Sequence, residues 1–153
     1  MRRYTMMFTT KQWALALTLT ATAGLPLATA AQAQDEAVAL GASLFGENVV
    51  GGKGAGEDAS GNFEGEIDME AGTLCYFLEI EDLDGYTAAH IHKGKAGKNG
   101  PPVVTLELAS DEEACVEVEA DVLKAIAKDQ EAYYVNVHTT AHPAGAIRGQ
   151  LGS

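Results

Sequence analysis

The sequence predicts an all-β domain, an antiparallel Greek-key-like β-sandwich with one short helix. Three observations lead there. Apolar and polar residues alternate with a period of two through a series of short segments, the pattern of strands that bury one face. Stretches rich in glycine, proline and aspartate separate those segments, as turns require. A single stretch switches to helical spacing.

The first 33 residues stand apart from this pattern. Arg2, Arg3 and Lys11 make a basic start, "WALALTLTATAGLPLATA" follows as an apolar run, and Ala31-Gln32-Ala33 supplies a small-residue cleavage site. Together they read as a secretory signal peptide removed after Ala33. The run is broken by threonines, Gly24 and Pro26 and is short for a spanning helix. Residues 34–153 are then expected to form one domain, exported to the periplasm or the cell exterior, with no membrane span after cleavage.

Within that domain, "NFEGEIDM" sets Phe63, Gly65, Ile67 and Met69 against Asn62, Glu64, Glu66 and Asp68. "LCYFLEI" does the same with Leu74, Tyr76, Leu78 and Ile80. "AAHIH", "VVTLEL", "ACVEVE", "YYVNVH" and "AIRGQL" continue the series. "GGKGAGEDASG" reads as a loop, "EAG" at 70–72 as a hairpin turn and "HPAG" as a tight connection. The exception is "DVLKAIAKDQE", where Leu123, Ile126 and Ala127 share a helical face and Asp121 is a suitable N-cap.

Charge narrows the functional classes. The whole chain carries a formal −12; the leader holds three basic residues and no acidic one, so the mature domain reaches −15. Such a field repels nucleic acid and anionic membrane surfaces and mildly favours cations. Cys75 and Cys115 are the only cysteines. An even count without CxxC spacing, in an exported chain, points to one structural bridge; a thiolate metal site is the competing reading.

The four histidines fall into two clusters, His90 with His92 and His138 with His142. Residues two apart on a strand share a face. Ile91 is the natural core residue of "AAHIH", which turns His90 and His92 outward. Val135 and Val137 likewise turn Asn136 and His138 outward. If the two strands are neighbours, three or four imidazoles converge, and imidazole suits copper, zinc and nickel. Otherwise the rings hydrogen-bond the adjoining glycine-rich loop and order the sheet edge.

"AHIHKGKAGKNGPPVVTL" and "YYVNVHTTAHPAGAIRGQL" resemble the two signature motifs of the CHRD domain, and the likeness runs from about Gly46 to Leu151. It implies a β-sandwich of superoxide-dismutase-like or immunoglobulin-like type. Members similar to this chain often carry cysteines in the "TLCY" and "ACV" contexts, which implies a Cys75–Cys115 disulfide. The resemblance implies little about activity: chordin binds bone morphogenetic proteins, but its CHRD repeats have no defined role that transfers here. The HxH strand, a later histidine and "GAIRGQL" also resemble copper/zinc superoxide dismutases. That family's dinuclear site needs six histidines and an aspartate, and this chain has four histidines.

The expectation is therefore an exported binding module, for a protein or small ligand, rather than an enzyme. No serine sits in a nucleophile elbow, and Thr139, Thr140 and Tyr134 carry no catalytic signature. Its ligand surface would comprise the histidines with Asn136, Arg148 and Lys93, and Lys93, Lys95 and Lys98 would make the loop beside them the wall of the site. Arg148 is expected either to contact an anion or to pair with Asp82 or Asp84. The alternative is a mononuclear copper or zinc protein using His90, His92 and His138, with His142 available as a fourth ligand. "EIEDLDGY" lacks the later acidic residue of a calcium loop and reads as a solvated turn.

Overall fold

The computed structural model describes residues 37–52, 54–108 and 112–152. The leader lies outside the described residues. The alternating segments are strands: β1 (Val38–Phe45), β2 (Ser60–Asp68), β3 (Thr73–Glu81), β4 (Tyr86–Lys93), β5 (Pro102–Leu106), β6 (Ala114–Glu117), β7 (Tyr133–Thr139) and β8 (Ile147–Gln150), with one helix, α1 (Ala120–Lys128), before β7. β1 is a strand that the period-two pattern does not announce. Its buried Leu40, Ala42 and Leu44 do alternate with Ala39, Gly41 and Ser43, but the small residues blur the contrast.

All pairings are antiparallel, in the order β5-β4-β7-β8-β1-β2-β3-β6. The two four-stranded halves meet at β1 and β8 through one bridge pair, Phe45 and Arg148. The chain runs β1-β2-β3 as a meander, crosses to β4-β5, returns to β6 and crosses again to β7-β8, a Greek-key path. One apolar cluster joins both halves: Phe63, Ile67, Leu74 and Tyr76 from one, Ile91, Val135, Val137 and Ile147 from the other. The predicted all-β sandwich with one helix is what the chain forms.

Two details give it its shape. At the β2–β3 turn the Asp68 carboxylate accepts hydrogen bonds from the amides of Glu70 and Ala71 at 2.9 and 2.8 Å, and Gly72 closes the turn at φ 71°, where a glycine is unstrained. The sulfurs of Cys75 and Cys115 lie 2.08 Å apart across directly paired positions of β3 and β6, so the thiolate metal reading is overturned.

The helix begins one residue before the expected cap. Its N-cap position is Glu119, with no side-chain cap, and Asp121 lies inside the first turn. There its carboxylate still complements the helix dipole. The helix buries Leu123 and Ile126 in the shared core. No helix among the described residues is long and apolar enough to cross a membrane.

Candidate metal centre

β4, β7 and β8 are adjacent, and their register builds the site. Ala88 faces His138, His90 faces Asn136 and His92 faces Tyr134 across β4–β7; Asn136 faces Arg148 and Tyr134 faces Gln150 across β7–β8. Paired residues share a face, so His90, His92, Tyr134, Asn136, His138 and Arg148 form one polar patch on the outside of this half. The alternation of Ile91, Val135 and Val137 into the core, all fully buried, fixes that orientation, since a slip of one residue would invert it.

The three imidazoles meet. Ring centroids are 5.6 Å apart for His90 and His92, 5.1 Å for His90 and His138, and 5.8 Å for His92 and His138. One nitrogen from each ring falls within 4.8 Å of the others. Three nitrogens bound to one ion at 2.0–2.1 Å lie about 3.3–3.6 Å apart, so inward ring movements of about 0.7 Å complete a first shell. His142 is not part of this group. Its backbone instead closes the β7–β8 connection, its amide donating to the Thr139 hydroxyl at 2.9 Å.

Hydrogen bonds set which nitrogen points where. His92 Nδ1 lies 2.9 Å from the Gly100 carbonyl oxygen, and His138 Nδ1 lies 3.0 Å from that of Pro143. A carbonyl only accepts, so both Nδ1 atoms carry the proton and both Nε2 atoms keep a lone pair. Those two Nε2 atoms, with His90 Nδ1, are buried and have no hydrogen-bond partner. Backbone carbonyls orienting the far nitrogen of a histidine is the arrangement found behind metal-bound imidazoles. Burial holds the pKa of His90 and His92 below the usual histidine value, helped for His90 by the neighbouring His138 and His92; the Gly100 hydrogen bond opposes the shift at His92, while His138 and Arg148 add to it. Both therefore favour the neutral form that ligates.

The loop from Gly94 to Gly100 locks this patch. It leaves β4 where the β4–β5 register shifts between Ile91 and His92, and it folds back so that a Cβ at Gly100 would collide with the Lys93 carbonyl oxygen. Arg148 is 3 % exposed and holds the loop from below. It donates to Asn99 Oδ1 at 3.1 Å and to the carbonyls of Lys98 and Lys95 at 2.9 and 3.3 Å. Its guanidinium carbon lies 3.5 Å from the centroid of Tyr134, whose ring stacks on His92 at 5.0 Å and 13°. Among the described residues the hydrogen-bond partners of Arg148 are loop carbonyls and the Asn99 side-chain amide, not Asp82 or Asp84.

Asn136 is also buried, donating to the Ala144 carbonyl at 3.2 Å. Gly145 packs against it at φ 138°, where a Cβ would come within 2.5 Å of Asn136 Oδ1. Asn136 and Arg148 are thus buried and support the loops around the site. Lys93, Lys95 and Lys98 are exposed. Tyr134, the link between Arg148 and His92, was legible only as an outward residue two before Asn136.

The histidines floor an open depression of about 590 Å³ rimmed by Thr87, Thr140 and Pro143. A second groove of about 630 Å³ lies between the free edges of β5 and β6, lined by Val103, Thr105 and Glu117 among others, but it gathers no set of ligating groups. The site chemistry belongs to the histidine face.

Both motifs that build this face lie within residues 40–151, which match the family model of the CHRD domain. The chain belongs to the CHRD domain family. No curated protein and no solved structure matches it. The CHRD signature thus coincides here with β4, β7, β8 and the two loops that orient the imidazoles.

Proposed function

We propose that this CHRD domain is an exported binding module whose ligand is a single copper or zinc ion, held by His90 Nδ1, His92 Nε2 and His138 Nε2. One observation carries the reading: in a cluster where one nitrogen from each of three rings lies within 4.8 Å of the others, every ring has a buried nitrogen with no hydrogen-bond partner. An unsatisfied buried acceptor costs about 1–3 kcal/mol, and a metal ion is a ligand that all three lone pairs can share. Imidazole donors suit both copper and zinc, and the open depression leaves room for a water or small ligand as a further ligand. The basic leader and the disulfide support export.

The test is native mass spectrometry of the mature protein with one equivalent of Cu(II) or Zn(II). The reading expects stoichiometric uptake that is lost in His90→Ala and His138→Ala. A folded wild-type protein that takes up neither ion at micromolar metal would overturn it and leave the same face as a docking surface for a protein or small ligand.

A further inference from the structure

We infer that the site is tuned for a monovalent ion, Cu(I), and that Arg148 does the tuning through the Tyr134 ring. This rests on the three-imidazole reading above. The ligand set is neutral: no carboxylate joins the cluster among the described residues. Beside it sits a buried cation whose partners there are also neutral, Asn99 Oδ1 and the carbonyls of Lys95 and Lys98. The guanidinium is 3.5 Å from the Tyr134 centroid, and that centroid is 5.0 Å from the centre of His92. An ion on His92 Nε2 therefore lies within about 12 Å of an uncompensated positive charge. Lys93, Lys95 and Lys98, exposed on and beside the same loop, add to the positive potential.

Arg148 repels a doubly charged ion by one unit of charge more than a singly charged one. At about 12 Å and an effective dielectric constant of about 20 to 40, that difference favours the monovalent ion roughly three- to tenfold. Coordination number acts in the same direction: Cu(I) is satisfied by the three imidazoles alone, whereas Zn(II) must recruit a fourth ligand from the open depression and Cu(II) prefers a tetragonal set.

The experiment measures Cu(I) affinity by competition with a chromogenic cuprous chelator under anaerobic conditions, and Zn(II) affinity with a chromogenic zinc chelator at the same pH. Arg148→Gln removes the charge and keeps donors for the loop carbonyls; Arg148→Lys keeps the charge. Arg148→Gln is expected to lower the Cu(I)-over-Zn(II) preference about three- to tenfold, with Arg148→Lys within about twofold of wild type. Should Arg148→Gln fail to fold, Arg148→Met serves as the neutral variant, and the Cu(II)/Cu(I) midpoint of the copper-loaded wild type, expected above that of aqueous copper, reads the preference for the monovalent ion. Metal uptake with an unchanged preference in Arg148→Gln, or a wild-type midpoint below the aqueous couple, overturns the inference while leaving the site. Absence of any uptake defeats the site itself.

Discussion

Replacing both Cys75 and Cys115 by serine should lower stability sharply and leave metal uptake intact. The bridge joins residues 40 apart in the chain. In the chain-entropy model, closing a loop of that size in the unfolded chain is worth about 4 kcal/mol. Little packing is lost with it, because Cys75 is half-buried and Cys115 is exposed. The described residues between 37 and 152 belong to one compact unit. At about 2.1 cal/mol/K per residue its unfolding entropy is roughly 0.25 kcal/mol/K, so Tm should fall by about 16 °C. The effect on the site should be small because the bridge joins β3 to β6, and neither strand carries a residue of the histidine face. Scanning calorimetry of the oxidised wild type against the double serine variant, with zinc uptake measured on both, checks each half. A Tm loss under about 5 °C would refute the entropic argument. A large loss of uptake in a folded variant would refute the separation between bridge and site.

Two further predictions concern the imidazoles. The metal-free protein should lose stability as pH falls from about 7 through the unfolded histidine value near 6.5 toward the depressed folded values of His90 and His92, because over that window the unfolded chain binds protons that the folded chain refuses. Denaturant titrations in a chelator at several pH values check this; a slope no steeper in wild type than in His92→Asn counts against it. In the metal-free protein at neutral pH, two-bond proton–nitrogen spectra should show His92 and His138 protonated at Nδ1, as their carbonyl partners require. Protonation of either at Nε2 would remove a donor from the proposed set.

Most of the framework was open to sequence reading because period-two alternation is what a half-buried strand imposes. "YYVNVH" gave both the strand and the outward direction of Asn136 and His138. What it did not give was the cover. β7 is buried on both faces from Tyr133 to Val137, because the Gly94–Gly100 loop closes over Arg148 and Tyr134. That closure runs through backbone carbonyls of Lys95, Lys98 and Gly100, which every residue possesses and no side-chain pattern advertises. The same limit applies to Arg148. Its charge suggested an acidic partner, yet an interior position reached by loop carbonyls satisfies a guanidinium fork without a carboxylate. His142 was grouped with His138 by proximity in sequence, but the turn after β7 uses its backbone instead.

The loops that cover this face also decide what it can bind. With both Nε2 atoms of His92 and His138 fixed as acceptors, each ring keeps a buried lone pair within the three-histidine cluster, and His90 Nδ1 is a third buried nitrogen without a partner. Histidines that only held the Gly-rich loop in order would have one nitrogen on a carbonyl and the other in solvent. Here the second nitrogens are buried together, and burial makes protonating His90 or His92 harder. A single water has two protons to give, so it satisfies all three nitrogens only if His90 turns donor at Nδ1; a cation satisfies them with His90 protonated at Nε2 instead. The tautomer of His90 in metal-free and metal-loaded protein therefore separates a hydrated structural cluster from a binding site. A site that exchanges its water for an ion must move that proton from Nδ1, whereas a cluster built only to order the loops has no reason to.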